Sequence, residues 1–202
     1  MPRLEADASA WQADLSAQEQ HWCRDLTPAV RGRYAVSRVL LRQRLGALLG
    51  IEAAAVPLHS PPGQPPLLGS GAGFISLSHS GRGLLLAWSA QPIGVDLEWG
   101  QRPLLAEALA QRFFPAQERA QIEAMPAVVR ERAVLESWVC KEAAIKWRGS
   151  SLATDLRHWQ WDHQQQLLRH RLDGWAPPCR VVEREGWLCA AVGLAVAGAI
   201  WG

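Results

Sequence analysis

Three short segments of the chain gather side chains of the kind that move protons, bind anions or hold metal ions. The first is GVDLE, Gly94 to Glu98. On a strand alternate side chains share a face, so Asp96 and Glu98 point one way while Val95 and Leu97 enter the core. Neighbouring carboxylates repel unless a cation or a shared proton lies between them. A hard divalent ion such as Mg²⁺ suits such oxygen ligands; a solvent-facing pair on an edge strand is the plainer alternative. The second segment is WVCKEAAIKW, Trp138 to Trp147. Its Trp138, Glu142 and Lys146 fall at i, i+4 and i+8, one stripe of a helix, where Glu142 and Lys146 can pair directly. That pair reads either as a surface salt bridge or as a base and an acid for one transfer reaction. The third is FISLSHSGRG, Phe74 to Gly83, a strand running into a turn with His79 near its end. Small hydroxyls around a histidine suit an anion or a phosphate, and a purely structural histidine fits the same pattern.

Composition sharpens the second segment. Of 21 basic residues only Lys141 and Lys146 are lysines, the rest being arginines. Where any positive charge will do, this chain uses arginine. An ammonium can shift its pKa and give up a proton, which a guanidinium cannot, so the two lysines mark a place where proton chemistry is expected. The remaining composition is that of a globular protein, 49% hydrophobic and 20% charged. A net charge of +2 without any run of like charges gives no reason to expect nucleic acid. Cys23, Cys140, Cys179 and Cys189 are widely spaced and read as reduced core thiols. The charged N-terminal stretch is unlike a signal peptide, and a cytoplasmic protein is expected. The nearly uncharged Trp187 to Gly202 stretch is shorter than the ~20 residues of a membrane span; it reads as two buried strands joined at Gly193. The motifs of serine hydrolases, zinc proteases, P-loop NTPases and dinucleotide-binding enzymes are missing.

The elements that must position these residues can be read in outline. A helix is expected from Ala8 to Leu26 and a second from Thr27, its N-cap, with Pro28 in the first turn, to Gly50. The second carries Arg31, Arg33, Arg38, Arg42 and Arg44, mostly a solvated basic face. A Pro/Gly-rich loop, Ser60 to Gly73, precedes strands at 75–78, 83–89 and 93–98. Helices follow at 104–113, 115–123 and 127–147, the last amphipathic through Val128, Leu135, Trp138, Val139 and Ile145. From Leu156 onward the chain reads as strands. The expected class is α+β: two similar α/β halves, 1–95 and 96–202, in one compact structural unit, each with a helix packed on a small antiparallel sheet.

In this order, SLSHS, IGVDLE, RFFPAQE and WVCKEAAIKW closely resemble the motifs of the surfactin-synthetase-activating type of 4′-phosphopantetheinyl transferase. The likeness runs at motif level from Gly63 to Lys146. It implies a pseudo-twofold fold, with coenzyme A bound by the N-terminal half and the metal and catalytic helix in the C-terminal half. The implied enzyme is Mg²⁺-dependent, with Mn²⁺ as a substitute. It moves the phosphopantetheine arm of coenzyme A onto a serine of an acyl, peptidyl or aryl carrier protein and releases adenosine 3′,5′-bisphosphate. By motif, Asp96, Glu98 and Glu142 ligate the metal. His79, with Arg33, Arg31 and Arg24, meets the 3′-phosphate, and Ser78 and Lys146 also contact coenzyme A. Glu142 is also the base for the carrier serine, Lys146 protonates or neutralises the departing phosphate, and Lys141 contacts phosphate or caps the site's charge. The acidic helix of a carrier would dock on Arg112, Arg119, Phe113, Phe114 and Met125, although core packing also accounts for the phenylalanines.

Two positions depart from the pattern. Gln64 stands where a phosphate-binding lysine is usual, with Arg82 a candidate to compensate, and Ile75-Ser76 replace the common Phe-Asn. A monomer is expected, with no nucleic-acid or membrane partner, serving fatty-acid, polyketide or nonribosomal-peptide synthesis. The alternatives are a Mg²⁺-dependent phosphoesterase acting on a nucleotide and a non-catalytic relative that binds coenzyme A or a carrier.

Overall fold

The structure is a computed structural model that describes residues 13–198. The chain divides into two compact units, 1–73 and 74–202. In the first, Ser16 opens helix α1, Ala17–Asp25, through a capping box with Glu19, which satisfies two orphan amides at the helix start. Helix α2, Pro28–Leu49, has its proline in the first turn and ends at Gly50, whose φ of 69° closes the helix in the left-handed region. A two-residue pair, β1 (Leu58–His59) with β2 (Leu67–Leu68), lies within and beside the Pro/Gly-rich loop.

The expected basic face of α2 holds only in part. Arg31, Arg33 and Arg44 are exposed, but Arg38 and Arg42 are buried. Arg42 donates to Glu19 Oε2 at 2.5 Å and to the carbonyls of Ala53, Ala54, Val56 and Leu58. It therefore satisfies the irregular segment after α2, as a planar five-donor group can. The first helix begins at Ala17 rather than Ala8, because the capping box fixes its start; positions 8–12 of that expectation lie outside the described residues.

The second unit opens with the hairpin β3 (Phe74–Ser80) and β4 (Gly83–Ser89), antiparallel with Ser78 opposite Leu85. Strand β5, Gly94–Trp99, belongs to a three-stranded antiparallel sheet in the order β5-β9-β8, with β8 at Cys179–Arg184 and β9 at Trp187–Val192. Helices α3 (Ala106–Phe113), α4 (Ala116–Glu123) and α5 (Ala127–Arg148) come between, and β6 (Trp159–Asp162) with β7 (Leu167–His170) forms a further hairpin. The class is α+β, helices with small antiparallel sheets. Residue 95 lies inside β5, which ladder pairing ties to β9 nearly a hundred residues on.

Helix α5 is the axis of this unit. Leu135, Val139, Cys140, Ala143 and Ala144 pack against Trp159, Trp161, Leu168, Leu188, Ala190 and Val192. Val128, counted in the apolar stripe, is exposed. At Gly94 a Cβ would stand 2.0 Å from the Ala143 carbonyl oxygen and 2.3 Å from the Trp147 nitrogen. Only glycine lets α5 lie this close to the start of β5. The four cysteines are free, as expected. Among the described residues no helix is long and apolar enough to cross a membrane. The C-terminal expectation fails after β9: Gly193 turns at φ 148° and residues Leu194–Gly198 form a short 3₁₀ helix rather than a second strand. The rest of that expected strand, 199–202, lies outside the described residues.

Candidate active site

Strand β5 presents its carboxylates as alternation requires, and β3 supplies the hydroxyls that hold them. Ser76, Ser78 and Ser80 all face β5. Ser76 Oγ accepts from the Val95 amide at 3.0 Å, Ser78 Oγ donates to Asp96 Oδ1 at 2.6 Å, and Ser80 Oγ donates to Glu98 Oε2 at 2.6 Å. From α5, Lys146 Nζ donates to Asp96 Oδ1 at 2.7 Å and to Ser78 Oγ at 3.0 Å. From the turn after β5, Arg102 Nη1 pairs with Glu98 Oε1. Asp96 is almost fully buried, and its second oxygen, Oδ2, has no hydrogen-bond partner.

This arrangement loads the site with unbalanced negative charge. Burial pushes the Asp96 carboxyl up, against the pull of Lys146 and the hydrogen bond from Ser78, and Glu98 pushes it further. Glu142, half-buried on α5, is held up to about 7 by burial first and then by repulsion from Asp96. Both effects disfavour the charged carboxylate, and an additional cation would relieve them. Among the described residues no three His, Cys, Asp or Glu side chains are gathered as a metal cluster. Lys146 and Arg102 stand on the carboxylate oxygens instead. The orphaned Asp96 Oδ2, the strained Glu142 and the all-oxygen donor set nonetheless fit a hard divalent ion.

Several expected site residues lie elsewhere. Lys141 does not face the carboxylates. Five residues from Lys146 on a helix means about 140° of rotation, and Lys141 is fully buried, its Nζ 2.7 Å from Glu118 Oε2 and 3.7 Å from the Phe114 ring centroid. Burial lowers its pKa to about 8, against the pull of Glu118. It is a structural ion pair rather than a phosphate contact. Glu118, within RFFPAQE, received no role from the sequence; a fully buried carboxylate opposite one of two lysines is visible only in three dimensions. Lys146 bonds to Asp96 rather than to Glu142, its helix neighbour, and Trp138 turns away to stack edge-on against Phe113.

His79 is exposed on the face of β3 opposite the serines, so Ser78 and His79 serve different faces. Ser78 donates its hydroxyl hydrogen bond to Asp96. Arg82 is exposed in the turn that follows. Arg24, Arg31, Arg33 and Gln64 belong to the first unit; all are exposed, and Arg31 is committed to the carbonyls of Arg24 and Leu26. Of the docking candidates, Arg112 is exposed, Arg119 is half-buried, Phe114 is core, and Phe113 and Met125 pack against the cluster of Ala110, Ile122 and Val134.

Residues 92–192 match the family model described as the 4′-phosphopantetheinyl transferase superfamily. That span is half of the chain and runs from β5 to the end of β9, with Asp96, Glu98, Glu142 and Lys146 inside it. The chain belongs to this superfamily. Related sequences include the 4′-phosphopantetheinyl transferase HetI of Nostoc sp. (strain PCC 7120), 34% identical over 132 residues, which are 62% of this chain and 55% of HetI. The 4′-phosphopantetheinyl transferase Sfp of Bacillus subtilis (strain 168) is 35% identical over 81 residues, 40% of this chain and 35% of Sfp. The 4′-phosphopantetheinyl transferase psf-1 of Bacillus pumilus has the same identity over the same length, 34% of its own chain. The matches thus span about half or less of these relatives. Within the superfamily match, β5 and α5 are the elements that meet at the carboxylates; His79 and the first unit lie outside it.

Proposed function

We propose that the chain transfers the 4′-phosphopantetheine arm of coenzyme A to a serine hydroxyl of an apo carrier protein, leaving adenosine 3′,5′-bisphosphate. The observation that carries this reading is the meeting of β5 and α5, where the buried Asp96 shares Lys146 with Ser78 and leaves one oxygen free beside a proton-accepting Glu142. In this reading Asp96, Glu98 and Glu142 hold Mg²⁺ or Mn²⁺ against the pyrophosphate of coenzyme A. When bound, the ion supplies charge neutralisation at the phosphoryl oxygens.

The chain's own residues do the rest. Glu142, directly or through a water, takes the proton of the carrier serine as the serine oxygen bonds to phosphorus. The bond from that phosphorus to the adenosine 3′,5′-bisphosphate oxygen breaks, and Lys146 donates to the oxygen that leaves. Lys146 is one-third exposed and so reaches the entering phosphate while still touching Asp96. Phosphoryl transfer asks the protein mainly for positioning and charge stabilisation. His79 serves the 3′-phosphate. Arg112 and Arg119 serve the carrier's acidic helix.

The finer fold reading belongs to the same proposal: α2 followed by β3–β5, and α5 followed by β6–β9, repeat one helix-then-strands order as pseudo-twofold halves within a monomer. The four free thiols suit a reducing, cytoplasmic setting. Incubation with coenzyme A, Mg²⁺ and a panel of apo acyl, peptidyl and aryl carriers, followed by intact-mass measurement, tests the activity. The expected result is a carrier heavier by one phosphopantetheine. Unmodified carriers throughout, with coenzyme A cleaved in their absence, would overturn it.

A further inference from the structure

The carboxylate of Glu98 is held from two sides by donors of different kinds. Ser80, on β3, gives a neutral hydroxyl to Oε2 at 2.6 Å. Arg102 gives a guanidinium to Oε1 from a turn whose backbone is fixed by two hydrogen bonds, Arg102 N to the Trp99 carbonyl and Gly100 N to the Gly186 carbonyl. The Arg102 side chain is one-third exposed whereas that of Glu98 is mostly buried, so the guanidinium has somewhere to go and the carboxylate does not. The charge of Arg102 also reaches Glu142, where it opposes the repulsion from Asp96 and Glu98.

We infer that Arg102 is an internal counter-ion that occupies the carboxylate site and must be displaced from Glu98 before a divalent cation can bind there, while Ser80 stays and orients the same carboxylate. This rests on the metal-binding reading of Asp96, Glu98 and Glu142. A carboxylate offers about four lone-pair sites over its two oxygens, so one hydroxyl donor leaves room for an ion. A neutral hydroxyl adds no repulsion to an incoming divalent charge, whereas a guanidinium in contact with the same carboxylate repels it strongly in a poorly solvated site. Lys146 is a different case, because it bridges Asp96 and Ser78 and leaves Asp96 Oδ2 free. Glu98 thus has two alternative counter-charges, the Arg102 guanidinium or a divalent ion.

The two donors should consequently act with opposite signs on the same affinity. Mn²⁺ alone is the probe, titrated into the full chain without coenzyme A or carrier, with free Mn²⁺ read from its EPR signal. Arg102→Gln and Arg102→Met should each tighten Mn²⁺ binding by about fivefold, the factor expected when the ion no longer has to break a partly exposed ion pair. Ser80→Ala should weaken it by about threefold and Ser80→Thr should restore it, since the threonine hydroxyl can make the same bond. Arg132→Gln, which removes a charge paired with Glu183 on β8, is the control and should leave the affinity unchanged. Thermal unfolding of each variant checks that it is folded. Two Arg102 variants that are folded and bind Mn²⁺ no more tightly than the parent overturn the counter-ion role. A parent and folded Arg102 variants that all bind no Mn²⁺ overturn the metal reading and this inference with it, whatever the carrier assay reports.

Discussion

Lys141 and Lys146 share one helix and six positions of sequence but do opposite jobs. Lys146 keeps a partly exposed ammonium on Asp96, while Lys141 is sealed against Glu118 and the Phe114 ring. The scarcity of lysine pointed to this helix, and its 3.6-residue period already separated the two side chains. What the sequence could not supply was the partner of each, because Glu118 and Asp96 arrive from other elements. Lys146→Arg should keep the charge but lose the proton donor. We expect turnover to fall by about 10²-fold in the carrier assay with coenzyme A affinity little changed by calorimetry. Glu118→Ala or Lys141→Met should each lower stability by about 3–5 kcal/mol in chemical unfolding, since one buried charge is left without its partner. The double variant should recover most of that loss; an equal or larger loss would show that the pair contributes more than mutual neutralisation.

At the scale of elements, the boundaries of α2 and α5 were legible because proline, threonine and glycine punctuate them, and the face of β5 followed from alternation. The end of the chain misled because an uncharged run states burial without stating conformation, and Gly193 takes a backbone turn that ends β9. Nor could the sequence say that β3 turns all three serines towards β5, since a hydroxyl fits either face of a strand. The packing of α5 on β5 passes through Gly94. Gly94→Ala would drive a methyl into the Ala143 carbonyl. We expect about 1–3 kcal/mol of destabilisation and a larger fractional loss of transfer activity, because Glu142 and Lys146 ride on the displaced helix. Beyond the end of α5, Asp155 accepts from Ser150 Oγ at 2.6 Å and Trp159 Nε1 at 3.1 Å, with His170 Nε2 2.9 Å away. Burial alone would raise its pKa, but these contacts outweigh it and hold the carboxyl below its ordinary value of 3.8. A depressed carboxylate stabilises the fold above its unfolded pKa and loses that contribution as pH falls through the folded one. Asp155→Asn should therefore melt lower than the parent at neutral pH, and the gap should close as the pH drops below 3.8.

At the scale of the whole molecule, the chain divides into two compact units where its Pro/Gly-rich loop ends. Ladder pairing is long-range, and it ties β5 to β9 nearly a hundred residues on. Each unit also carries a buried ion pair, Glu19 with Arg42 in the first and Glu118 with Lys141 in the second. Arg42 does more than pair, since it serves four carbonyls of the segment after α2. Arg42→Lys should loosen that segment in hydrogen exchange while leaving protection in α5 unchanged, because an ammonium has three donors and no planar fork. Uniform loss of protection across both units would instead mean that they unfold as one cooperative body.

The alternation of β3 has a further consequence. SLSHS carries two interleaved messages, one in the odd letters and one in the even. Ser76, Ser78 and Ser80 are written to the carboxylates of β5, and Leu77 and His79 to the opposite side of the strand. Drift in one register leaves the other intact, so the exposed face at His79 can change without touching the carboxylates, and the serines that hold the carboxylates can change without altering that face.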